Sequence, residues 1–193
     1  MVALRWNALG RLEYDRGNHA ASEAWHRKAL ALNRKLWGDR HGTVGESEMY
    51  LARALVAQGR ASEALPLQEE ALGIEREHSG EWSRESIFQA HAMANVLGAA
   101  GRTEEAEALQ RTVLAKAIEV LGAEHSVVSD CWLSLGQLLL DKGARGEAEE
   151  LLKLAVASRR ERLPAAHPAI ARAERALERC RATTTLTPRP VPD

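Results

Sequence analysis

The sequence predicts an all-α protein: a right-handed α-solenoid of four helix pairs, closed by a C-terminal capping helix. Three observations carry this. Gly17, Gly59, Gly101 and Gly143 recur at a spacing of 42 residues. Twelve residues after each stands a small apolar residue (Ala29, Ala71, Val113, Ala155), and twenty-one after comes a breaker (Gly38, Gly80, Gly122, Pro164). Self-similarity at such a period marks stacked supersecondary units. Between the breakers the apolar residues recur with helical period, without the alternation of a strand.

Taken in order, the repeats are expected at about 2–42, 43–84, 85–126 and 127–166. The first holds helices over 2–16 and 20–37, ended by Gly17 and Gly38. Left-handed glycine caps of this kind finish helices cheaply. The second holds 46–58 and 62–77, with Pro66 near a first turn, where a missing donor costs least. The third gives 83–100 and 103–121, and the fourth 127–142 and 146–163, the last stopped by Pro164. A capping helix follows at 167–182: Ile170, Ala173, Leu177 and Cys180 make one stripe, away from Arg172, Arg175 and Arg179. The tail, 183–193, is Thr- and Pro-rich and is expected to be disordered. Residues 1–182 are expected to form one continuous stack, because each pair needs neighbours to bury its apolar face. The start is less closed. Trp6, Leu9, Trp25 and Trp37 either turn inward, meet another chain, or continue a longer array.

Composition narrows the function. Net charge is −1, so nothing general draws the molecule to phosphate or an acidic membrane. The charge is uneven: residues 1–45 hold eight basic and four acidic side chains, and residues 46–87 hold four and nine. Two cysteines, Cys131 and Cys180, are too few to staple a fold and fit a reducing, cytoplasmic setting. No apolar run reaches membrane-span length, and the first six residues lack a signal peptide's apolar block. His41, His125 and His167 recur in the links between pairs, too far apart to converge on one metal ion, so they are read as structural. There is no phosphate loop, His-Glu-x-x-His, Cys-x-x-Cys or nucleophile elbow. Glu69-Glu70, Glu104-Glu105 and Glu149-Glu150 read as solvated helix faces. No catalytic residue, cofactor or metal is therefore assigned, and nucleic acid is not expected as a partner.

Trp6-x-x-Leu9-Gly10 and Trp132-x-x-Leu135-Gly136, each followed by the repeat glycine and then Ala29 or Ala155, resemble the tetratricopeptide repeat. The longer period and the links Gly38-x-x-His41, Gly122-x-x-His125 and Pro164-x-x-His167 are similar to its kinesin-light-chain type. The sequence departs from that pattern in places. Glu13 and Glu48 occupy a face expected to be apolar, and of the paired asparagines common in this type only Asn7 survives.

The resemblance implies that the first helix of each pair lines a concave groove. Six residues before each repeat glycine stand Arg11, Arg53, Asn95 and Gln137, a ladder of hydrogen-bond donors. Asn7, Met49 and His91 lie ten before, Tyr50 and Ser134 nine before, and Tyr14 three before. Asp15 and Asp141 add acid at the rim. Arg11 and Arg53 can take a carboxylate in bidentate fashion, and Tyr14, Met49 and Tyr50 supply the apolar anchor typical of a hot spot. The expected function is a scaffold or adaptor that binds a protein or extended peptide, through an acidic or C-terminal carboxylate. The alternative is a self-associating regulatory segment of a larger signalling assembly, a homodimer through the N-terminal repeat.

Overall fold

The computed structural model describes residues 2–182, so the tail expected to be disordered lies outside the described residues. Among these the chain is an all-α repeat of nine helices without strands. They are α1 (Val2–Asp15), α2 (His19–Trp37), α3 (Gly42–Ala57), α4 (Ala61–Ser79), α5 (Arg84–Ala99), α6 (Thr103–Leu121), α7 (Ser126–Asp141), α8 (Arg145–Arg162) and α9 (Pro168–Ala182). None is long and apolar enough to cross a membrane. The chain forms two compact units, one up to Lys116 and one from Ala117. In the first, each helix from α1 to α4 packs on the next, and α3 also touches α1 and α5. In the second, α8 lies against both α7 and α9, and α7 touches α9.

The repeat glycines act as read. Gly59 adopts φ of +76°, open to glycine at little cost. The Gly59 and Arg60 amides then donate to Val56 and Leu55 carbonyls at 2.9 Å each, which is the Schellman closure of α3. The links are finished by their histidines. The backbone amides of Thr43, Val127 and Ala169 donate to Nδ1 of His41, His125 and His167 at 3.2, 3.3 and 3.2 Å. Each ring thus caps the helix that follows it. Ser83 does the same for α5, accepting from the Ser86 amide at 3.0 Å. The His41 cap starts α3 at Gly42, four residues earlier than expected. Gly45, inside α3, is a buried contact point: a Cβ there would lie 3.4 Å from the Ala71 carbonyl oxygen.

Packing inside each pair follows a size rule. Seven residues before the repeat glycine stand Gly10, Ala52, Ala94 and Gly136, and nine after it stand His26, Gln68, Gln110 and Leu152. Glycine meets a bulky side chain in the first and fourth pairs, and alanine and glutamine hold the same registers in the second and third. A Cβ on Gly10 would come within 2.5 Å of His26 Cε1, and one on Gly136 within 2.9 Å of Leu152 Cγ. Gly10→Ala should therefore cost about 1–3 kcal/mol from overpacking, even after the better helix propensity of alanine. Gly10→Ala/His26→Gln copies the second and third pairs and should regain most of that loss in urea melts. Additive losses in the double variant would refute the pairing rule.

Candidate partner-binding site

The chemically richest surface of the first unit lies where α1 and α3 run side by side. Residues eleven and fourteen of α1 and residues fifty and fifty-three of α3 are spaced by three, so each pair shares one helix face. The two pairs interlock. The Arg11 guanidinium sits over the Tyr50 ring at 5.6 Å, and that of Arg53 over the Tyr14 ring at 4.1 Å. Such cation–π contacts steady long side chains that would otherwise wander. With Asp15 and His26 these four line a cleft of about 60 Å³. That volume takes a few waters or one carboxylate-sized group.

Below the cleft lies a buried polar chain. Asn7 Nδ2 donates to Ser47 Oγ at 3.0 Å, so its Oδ1 faces the His26 ring and accepts from Nδ1–H, also at 3.0 Å. This assigns the His26 tautomer from its partners. Asn33 Nδ2 donates to the same Ser47 hydroxyl at 3.0 Å, and that hydroxyl donates to the Thr43 carbonyl at 2.9 Å. His26 also stacks on Tyr50, ring centres 5.3 Å apart. Burial, then the positive charges of Arg53 and Arg11, hold its pKa down to about 4. The ring is therefore neutral at physiological pH, and the positive charge of the cleft belongs to its arginines. Tyr50 is pushed the other way: burial first, then Glu46, raises its phenol.

The residues expected to face a groove divide into groups. Arg11 and Arg53 are exposed, while Tyr14, Met49 and Tyr50 are half-buried. Asn7 is corrected: its side chain is buried, because its amide is taken up between His26 and Ser47. On α5, the His91 ring bridges Asn95 at 3.1 Å and Gln110 at 3.0 Å. His91 thus joins α5 to α6 in the register that joins Asn7 to His26. Ser134 and Gln137 lie half-buried on α7 in the second unit. His26 was not anticipated as a cleft residue, since attention to the first helices passes over the second. Its signal is present nonetheless in the series His26, Gln68, Gln110, polar at a register that is buried throughout.

These features define a helical-repeat protein whose surface chemistry suits recognition. A tetratricopeptide repeat model matches residues 2–77 and 86–161, so the chain belongs to the tetratricopeptide repeat family. Repeats of this family generally mediate protein–protein interaction. The fold is shared with TPR-like repeats from Podosopora anserina assigned to a kinesin light chain: TM-score 0.71 and 24% identity, covering 93% of this chain and 85% of that one. BtubC from P. vanneervenii is similar at TM-score 0.67 and 19% identity, covering 97% and 83%. A Rap protein complexed with Competence and Sporulation Factor gives TM-score 0.80 at 16% identity, covering 93% of this chain but 48% of that one. No curated protein matches the chain.

Proposed function

We propose that the α1/α3 face is a recognition surface for a protein or extended peptide, and that the cleft takes a carboxylate from an acidic side chain or a C-terminus. The observation that carries this is the crossed arrangement of two guanidiniums over two tyrosines around an open cleft. Arginine held in place loses less entropy on forming a bidentate pair with a carboxylate. The imidazole beneath is neutral, so the attraction for a carboxylate rests on the two guanidiniums. Met49, His91 and Asn95 extend the surface along α3 and α5, and Ser134 and Gln137 carry the matching register in the second unit. A fold neighbour in complex with Competence and Sporulation Factor supports a binding rather than a catalytic role. The two buried cysteines, not joined in a disulfide, suit a reducing, cytoplasmic setting.

An array of peptides displayed with free or amidated C-termini and acidic or neutral side chains tests this. Retained peptides should carry a carboxylate, and Arg11→Glu/Arg53→Glu should weaken them by roughly a hundred-fold, the scale of two lost charge-assisted anchors. Equal retention by the wild type and the double variant would remove the cleft from consideration.

A further inference from the structure

Nine residues after the repeat glycine stand His26, Gln68, Gln110 and Leu152, so a titratable side chain holds this register in the first pair alone. Gly10 makes the room for it: a Cβ there would stand 2.6 Å from His26 Nε2. The residue is 1% exposed, yet it lines the cleft with Arg11, Tyr14, Asp15, Tyr50 and Arg53.

The polar chain beneath fixes where the ring proton lies. The Ser47 hydroxyl donates to the Thr43 carbonyl, so it accepts from both Asn7 Nδ2 and Asn33 Nδ2. Asn7 Oδ1 is then the atom 3.0 Å from His26 Nδ1, and an amide oxygen only accepts. The proton of the neutral ring is therefore on Nδ1. Nε2 is left as a lone pair without a hydrogen bond to any described residue. A carboxylate oxygen is itself an acceptor and gains nothing from such an atom. One added proton changes that. It makes Nε2 a charged donor and leaves the bond from Nδ1–H to Asn7 intact.

Before a ligand arrives, this proton is kept off. Burial holds the ring down to about 4, and the charges of Arg53 and then Arg11 add to the effect. An anion placed between the two guanidiniums opposes both charges and offers Nε2–H an acceptor. The other groups around the ring do not replace it. Tyr50 of α3 stacks on the imidazole, and burial, then Glu46, raises its phenol, which stays uncharged. On α1, Tyr14 lies under Arg53, and Asp15 is at the exposed rim. On α2, Glu23 is engaged by Arg27, Gln58 and Arg60.

We propose that a carboxylate seated between Arg11 and Arg53 is captured together with a proton, taken from solvent by His26 Nε2, which then donates to a carboxylate oxygen. Resting on the carboxylate reading of the cleft, this coupling makes affinity rise as pH falls while the charge of the ligand stays constant. The bound state holds one proton more than the free state, so the gain levels off only below about 4. A ligand that brought an N–H or O–H to the floor would use the lone pair directly and show no such dependence.

The probe is formate, a carboxylate small enough for the cleft that remains ionised over the range used, titrated into the isotope-labelled full chain. The Arg11 and Arg53 Nε–H resonances report occupancy, and the His26 ring nitrogens report the proton. Formate should bind about ten-fold more tightly at about pH 5.5 than at about pH 7.5, within the limit of roughly ten-fold per pH unit for one linked proton. Nε2 should move toward its imidazolium position with formate but not with chloride at equal ionic strength, which holds screening constant. His26→Gln carries the residue of the second and third pairs and should keep most of the affinity at the higher pH while losing the pH dependence. The ring readout on the wild type stands whether or not that variant folds. Formate that shifts the arginine resonances equally at both pH values, with Nε2 unprotonated, overturns the coupling and leaves the carboxylate reading standing. The same pH dependence in His26→Gln overturns it too, since another group then carries the proton. Arginine resonances that formate leaves unmoved at either pH overturn both.

Discussion

Asp130→Ala is expected to cost the second unit about 2 kcal/mol, below the scale of a fully buried ion pair, because Arg159 is buried while Asp130 is 43% exposed. Arg159 is a large buried side chain that joins three helices. From α8 its Nη2 pairs with Asp130 on α7, and its Nη1 donates to the Ala169 carbonyl of α9 at 2.9 Å. Arg172 of α9 approaches the same aspartate at 3.9 Å. Without Asp130 the guanidinium keeps its desolvation cost and loses its countercharge. The loss should concentrate at α9, whose first turn depends on this arginine. Hydrogen exchange should quicken there, while α1 to α5 keep their protection. Asp130→Leu/Arg159→Met replaces the pair with apolar volume and should recover stability to within about 1 kcal/mol of wild type. Urea melts that place Asp130→Ala within about 0.5 kcal/mol of wild type, the usual surface effect, would show that Arg159 needs no ionic partner.

The second large effect concerns Glu48, buried on α3 where an apolar residue was expected. Arg34 Nη2 donates to its Oε1 at 2.6 Å and to Glu70 Oε2 at 3.1 Å, while Glu48 Oε2 is buried without a hydrogen-bond partner. Burial first, then Glu70, pushes the Glu48 carboxyl up to about 8, with Arg34 opposing. In the unfolded chain the group titrates near its ordinary value of 4.5. Between those limits the folded protein holds a proton that the unfolded chain has released, so stability falls as pH rises. The contribution is complete below 4.5 and gone above 8. Each pH unit inside the window is worth at most about 1.4 kcal/mol, so with Arg34 and Glu70 sharing the titration roughly 2–4 kcal/mol is at stake.

Gln copies the neutral acid. Glu48→Gln should remove this slope and leave the variant more stable than wild type at pH 8. The quantity to follow is the difference between the two proteins in urea melts from pH 5 to 8. His26 tilts both alike below its ordinary value of 6.5, because its folded pKa is lowered to about 4 and stability is lost as pH falls. A difference independent of pH would mean that Glu48 is ionised in the folded protein.

These two sites show where reading the chain succeeds and where it stops. Gly59 and its equivalents could be assigned as caps, because a left-handed φ at a helix end is a local demand that glycine meets. The link histidines could be assigned as structural for a similar reason. Each acts on an amide two residues away. Arg11 and Arg53 could be placed on one face because the 42-residue period carries register from α1 to α3. Asn7 shared that logic and went elsewhere. Its partners Ser47 and His26 lie 40 and 19 residues away, and only their arrival made the amide more useful inside than out. Glu48 is comparable: an acidic residue in an apolar register looks like a flaw until Arg34 and Glu70 are seen to meet it.

The amino-acid order alone determined the helical repeat, its breaks, its caps and the register of its first helices, because those depend on residues within a turn or two of each other or on strict periodicity. Tertiary packing decided which polar side chains turn inward and which arginines find an aromatic ring. Those outcomes depend on what a neighbouring helix delivers to a given point, and residues far apart in the chain have no local rule by which to announce that they will meet.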